Sequence, residues 1–226
     1  MQRQGQDLSA RAGDPMVIHQ RLAAAYGRPV WRCHGDPLDE LVGTVLSQHT
    51  SDANSVRAFG RLRQVFPSWR DVLAAPVGQI EDAIRSGGLA NVKAPRIKAL
   101  LADLTARHGE LSLDFLRDLD TPTAREFLLA MPGVGPKTAA CVLLFSLGRP
   151  AIPVDTHVHR VCRRLGLVPP NATPEATEAA LEAAIPAEAA YSFHINIIRH
   201  GREVCRAQRP ACERCFLADL CPRIGV

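Results

Sequence analysis

Four cysteines fall within the last 22 residues, in the pattern Cys205-x6-Cys212-x2-Cys215-x5-Cys221, and no other feature restricts this chain so sharply. Thiols this dense on one loop serve as ligands to a shared soft centre, since both a cubane iron–sulfur cluster and a tetrahedral zinc prefer sulfur. Structural zinc usually takes two close cysteine pairs separated by a longer excursion. Only Cys212 and Cys215 form such a pair, and the outer thiols stand off by six and five residues. That spacing suits wrapping a [4Fe–4S] cluster, with zinc as the alternative. A disulfide network needs an oxidising compartment, and nothing in the sequence points to one.

The basic residues are placed unevenly. Lysine and arginine together number 27 against 23 acidic residues, a formal charge of +4 that is compatible with a polyanionic partner without requiring one. Arg199, Arg202, Arg206, Arg209, Arg214 and Arg223 crowd the cysteine tail, opposed by Glu203, Glu213 and Asp219. The bland reading is a solvated face; the functional one is a phosphate grip, with Arg206 and Arg209 as its candidates. Met1 through Asp14 is polar, and no apolar run approaches the length of a membrane span, so a cytoplasmic protein without membrane contact is expected. Cys33, Cys141 and Cys162 sit singly and read as packing residues.

Lysine is scarce: Lys93, Lys98 and Lys137 are the only three. Arginine stays protonated and cannot supply a nucleophilic nitrogen, whereas lysine can lose its proton and attack carbon. A lysine retained in an arginine-rich chain therefore raises the question of whether an amine is needed.

The chain reads as helices joined by short Pro/Gly turns, and the fold class is all-α. Leu38, Leu41, Val42, Val45 and Leu46 form the stripe of a core-facing helix over Leu38–Gln48. Further helices are expected over Ala53–Phe66, Val77–Arg85, Asn91–His108, Pro122–Ala130, Pro136–Leu147, Thr156–Leu165, Pro174–Ala184 and Tyr191–Val204. Ser68 with Asp71 resembles a capped helix start, and Thr121 and Thr173, each before a proline, read as N-caps. Gly148-Arg-Pro150 and Ile152-Pro-Val-Asp155 mark the clearest break.

Between two expected helices lies Met131-Pro-Gly-Val-Gly-Pro-Lys-Thr138. Gly133 and Gly135 permit a tight reversal with positive φ, Val134 plugs the core, and the amides of Val134 and Gly135 face outward as a site for a backbone phosphate. An ordinary helix–helix corner is the competing reading. Lys137 falls in the first turn of the following helix, where the helix dipole favours the free amine. Eighteen residues on, Asp155 begins another helix in Val154-Asp-Thr-His157, as an N-cap at the least.

The hairpin with Lys137, the Val-Asp155-Thr-His segment and the cysteine tail together resemble the endonuclease III family of helix-hairpin-helix DNA glycosylases, over about residues 38–221. The resemblance implies a bifunctional DNA glycosylase and abasic-site lyase of base excision repair. Such an enzyme excises oxidised pyrimidines from double-stranded DNA and cleaves the abasic strand by β-elimination. It implies Lys137 as nucleophile, Asp155 as its assistant, and a [4Fe–4S] cluster on Cys205, Cys212, Cys215 and Cys221. It further implies two lobes: a six-helix barrel over 39–149, and a cluster lobe from 1–38 and 150–226 with its loop at 205–221. DNA contacts are then expected from Gly133, Val134 and Gly135, from Leu89 as a wedge filling the place of an extruded nucleotide, and from Gln48 or His49 on the Leu46–Asp52 loop. That loop departs from the family's Leu-Ser-Ala-Gln-Ala-Thr-Asp, and which of the two residues enters the gap stays open. A monomer working at the nucleoid is expected. The adenine-excising mismatch glycosylases are the enzymatic alternative, but they lack this lysine, carry an acidic residue where Gly43 and Thr44 stand, and usually add a C-terminal domain where this chain ends five residues after Cys221. A non-catalytic lesion-binding module is the alternative outside enzymes.

Overall fold

A computed structural model describes residues 13–226. Among the described residues there are eleven α-helices and no strand: α1 (Pro15–Tyr26), α2 (Pro37–Ser47), α3 (Asp52–Val65), α4 (Trp69–Ala74), α5 (Val77–Ile84), α6 (Ala90–His108), α7 (Thr121–Leu129), α8 (Pro136–Cys141), α9 (Thr156–Arg164), α10 (Pro174–Ala184) and α11 (Ala187–Glu203). No helix among the described residues is long and apolar enough to cross a membrane.

The chain divides into two compact units, one over Arg32–Pro153 and one formed by Val154–Val226 with the described residues up to Trp31. In the Arg32–Pro153 unit, α2 is the central element, packing on α3, α6 and α8. Its stripe Leu38, Leu41, Val42, Val45 and Leu46 is fully buried. Truncating Leu41 to alanine would remove about 2–5 kcal/mol of stability, the cost of lost burial plus a cavity. In the other unit α11 packs on both α1 and α9. Gly201 permits the close approach to α9: a Cβ there would lie 3.1 Å from the His157 Cβ and 3.2 Å from Val161 Cγ2.

Local signals account for most helix starts. Ser68 and Asp71 form a reciprocal capping box at α4, and Thr173 accepts from the Ala176 amide at α10. At α7 the cap is Asp120, whose side chain accepts from the Thr123 amide at 2.8 Å, and not Thr121; the carboxylate one residue earlier takes the orphan amide first. Helix α1 was not signalled by periodicity, and Asp14 caps it through the Met16 and Val17 amides. After Cys141 the helix expected to run to Leu147 widens into a π-helical turn over Val142–Ser146, closed by the Leu147 amide on the Val142 carbonyl.

Candidate functional site

The hairpin in the Arg32–Pro153 unit joins α7 to α8. Gly133 alone takes a positive φ, +77°, while Gly135 is ordinary at −99°. Val134 is buried as a plug, but its amide is turned inward and donates to the Met131 carbonyl at 3.2 Å, closing the reversal. Of the two hairpin amides expected to face outward, the Val134 amide is therefore taken up inside the turn. Lys137 is the second residue of α8 and half-buried; its neighbour Thr138 is buried at 3% exposure.

One side chain that sequence reasoning missed braces this hairpin. A Cβ at Gly133 would lie 2.6 Å from Arg96 Cδ, so the Arg96 side chain from α6 runs directly over the turn. Arg96 Nη1 donates to Gln48 Oε1 at 2.8 Å, and Gln48 Nε2 reaches Thr138 Oγ1 at 3.5 Å. Gln48 is thus drawn back to the hairpin. The next residue, His49, is exposed with φ +54°. Leu89 is 50% exposed with φ +52°, outside the core that is its usual place. Glu40 on α2 is the second missed group: burial raises its pKa, opposed by the Thr44 hydroxyl and the charge of Lys137.

In the other unit Asp155 is the N-cap of α9, with Oδ1 accepting from the Val158 amide at 2.8 Å. The same helix grips the cysteine loop at its far end. Arg160 donates to the carbonyls of Gly201 at 2.8 Å and Cys205 at 3.0 Å. Arg164, 7% exposed, donates to the carbonyls of Arg206 at 2.7 Å and Ala207 at 3.1 Å. Arg206 and Arg209 are exposed beyond this anchor.

Cys205, Cys212, Cys215 and Cys221 line one pocket with the apolar Leu165, Val204 and Ala218. Burial pushes the Cys215 and Cys221 thiols up, and the other cysteines push the same way, so thiolates gathered here need a cationic core. Among the described residues no three His, Cys, Asp or Glu side chains converge closely enough to hold a single metal ion. Four thiols about a shared space are a donor set suited to a soft metal centre. His200, 1% exposed, lies behind them with Nε2 3.6 Å from Cys215 Sγ and Nδ1 3.3 Å from the Tyr26 hydroxyl. Burial lowers its pKa to about 4. Of the remaining cysteines, Cys141 and Cys162 are buried, but Cys33 is exposed. It sits in the segment ahead of α2 and donates to the Gly35 carbonyl at 3.4 Å and the Ser146 carbonyl at 3.5 Å.

Comparison with known proteins joins these separate features. Residues 42–187 match the HhH-GPD superfamily of base excision DNA repair proteins, and residues 205–221 match the iron–sulfur binding domain of endonuclease III. The chain belongs to the endonuclease III family. It is 37% identical over 186 residues to endonuclease III of Thermotoga maritima, an alignment covering 82% of this chain and 83% of that protein. It is 40% identical over 191 residues to the Arabidopsis thaliana protein At3g47830, covering 83% of this chain and 65% of the plant protein's length. A solved structure of a trapped covalent endonuclease III–DNA intermediate matches with a TM-score of 0.79 at 33% identity, over 92% of this chain and 96% of that one. Membership in the endonuclease III family assigns the cysteine loop an iron–sulfur cluster and settles the choice against zinc.

Proposed function

We propose that this endonuclease III-family DNA glycosylase and AP lyase excises oxidised pyrimidines from double-stranded DNA and cleaves the abasic strand through an imine on Lys137. The observation that carries the reading is the placement of Lys137: second residue of α8, half-exposed, directly behind the Gly133 turn. As a free amine it attacks C1′ of the damaged nucleotide, and the base leaves with the glycosidic electron pair. The sugar ring opens to an imine, which acidifies C2′; loss of that proton expels the 3′ phosphate. Asp155 holds its carboxylate in one orientation by capping α9, leaving its second oxygen to stabilise positive charge on the sugar and to move protons.

A base inside a duplex cannot be reached, so the nucleotide must be extruded and its place filled. Leu89 is the wedge in this reading. His49 fills the gap in preference to Gln48, because Gln48 is held by Arg96 and Thr138 while His49 is exposed. Gly133, Gly135, Arg206 and Arg209 contact phosphates, which position the enzyme without reading sequence. Cys205, Cys212, Cys215 and Cys221 would hold the [4Fe–4S] cluster, which supplies a rigid centre for the basic loop. The protein acts as a monomer on lesion-bearing or abasic duplex.

Borohydride reduction with an abasic duplex tests the central step. Wild type should yield a covalent protein–DNA adduct. Lys137→Gln and Lys137→Arg should yield none, since neither has a free amine. Trapping by Lys137→Gln would move the nucleophile to another residue.

A further inference from the structure

In the Arg32–Pro153 unit, Lys93 is the one charged side chain among the described residues that is fully buried, at 2% exposure. It lies on α6, and burial lowers its pKa. A buried ammonium is costly, and an apolar side chain of the same length would fill the space without that cost. Its position is explained by what it touches. Nζ donates to the carbonyl of Leu46 at 2.7 Å and to the carbonyl of Gly87 at 2.8 Å.

Leu46 lies in the last turn of α2, and Gly87 ends the 3-10 turn over Arg85–Gly87 that precedes α6. Both carbonyls are the orphan acceptors of helix ends, so two partial negative charges meet inside the unit and need a shared cation. The two segments are packed tightly. A Cβ at Gly87 would lie 2.9 Å from the Ala58 Cβ and 4.0 Å from the Leu46 oxygen.

Each carbonyl stands just before a protruding residue. His49 follows Leu46 by three positions and Leu89 follows Gly87 by two. These are the two non-glycine residues of this unit with positive φ among those described. Such backbone persists only where the surroundings over-determine it. Lys93 also donates its own amide to the Leu89 carbonyl at 2.9 Å.

We propose that Lys93 is a positioning residue that couples the two DNA-inserting loops: its ammonium gathers the Leu46 and Gly87 carbonyls on one centre, so that His49 and Leu89 are presented to the duplex at a fixed separation. This rests on the reading of His49 and Leu89 as the inserting residues. Lys93 touches no reacting atom. Its effect belongs to extrusion and not to imine formation.

The test uses Lys93→Met in the full, cluster-loaded protein. Hydrogen exchange should quicken about tenfold or more in peptides spanning 46–50 and 86–90 together, with α8 and the 205–221 loop unchanged. Single-turnover excision from a duplex carrying one thymine glycol should fall about tenfold. Leu89→Ala should add little in the Lys93→Met background, because both act on one step. A purely structural role would loosen the whole unit and give additive losses, and either outcome overturns the proposal. So does loosening of one loop alone, or unchanged excision with both loops loosened. Borohydride trapping on a preformed abasic site reports Lys137 separately, so failure of the coupling and failure of the imine reading remain distinguishable. If Lys93→Met does not fold, Gly87→Ala displaces the same carbonyl with the charge intact, and the paired rise in exchange should recur.

Discussion

Arg96 and Gln48 are joined by a 2.8 Å hydrogen bond from Nη1 to Oε1, and the same Arg96 side chain covers Gly133 at the hairpin turn. One guanidinium thereby ties the loop after α2 to the turn before α8. It holds Gln48 against the hairpin, while the adjacent His49 is exposed.

His49→Ala should lower excision from a lesion-bearing duplex by about tenfold or more, since an unfilled gap forfeits part of the unstacking energy. Gln48→Ala should cost less on the same substrate. Rapid-quench measurement of the two variants side by side decides the assignment; a larger loss for Gln48→Ala reverses it.

Asp155→Asn retains a side-chain oxygen able to cap α9 but loses the negative charge. Binding to undamaged duplex should stay within about twofold of wild type, while base removal slows by roughly 10²-fold or more, the scale of lost general-base or electrostatic assistance. Circular dichroism should show the helix content intact. Normal excision by this variant would reduce Asp155 to a helix cap.

Arg164→Met should weaken retention of the cluster without removing any ligand. It deletes charge-assisted bonds to the Arg206 and Ala207 carbonyls, each worth about 1.5–3 kcal/mol. Wild type should contain about four iron and four sulfide per chain. The variant should lose absorbance near 400 nm about tenfold faster or more on dialysis against chelator, roughly the scale of one such bond. Equal rates of loss would mean that the cysteines alone hold the loop.

His19 is buried at 4% exposure, and its Nδ1 has no hydrogen-bond partner among the described residues. Burial, and then the charge of Arg28, lowers its pKa. An unfolded imidazole takes its proton near pH 6.5, about the free value. Between that pH and the lower folded pKa, the unfolded state binds more protons, so stability falls as pH drops through this window. The slope is at most about 1.4 kcal/mol per pH unit. Urea unfolding at pH 7.5 and pH 5 should show a smaller pH difference for His19→Leu than for wild type. An unchanged difference would mean that His19 titrates normally in the fold.

Much of this protein is determined locally, and there the sequence alone is enough. The cysteine spacing picks out the iron–sulfur loop because all four thiols lie within one short segment. The caps at Ser68, Asp155 and Thr173 follow from side chains that reach amides two or three residues away, and the stripe on α2 follows from helical period. Even the mistaken cap at Thr121 was off by one residue, because two adjacent oxygens compete for the same amide.

Only the tertiary structure decided the contacts that brace the site. Lys93 reaches a carbonyl 47 residues back, and Arg164 reaches carbonyls 42 and 43 residues ahead. Every residue carries a backbone carbonyl, so the acceptor leaves no mark in the sequence, and a buried lysine reads there like a solvated one. The tie from Arg96 to Gln48 is hidden for a related reason: two polar residues 48 positions apart become partners only once α2 and α6 pack together. Local chemistry wrote the elements and the cysteine loop; long-range packing chose which polar side chains hold the loops and which are left exposed.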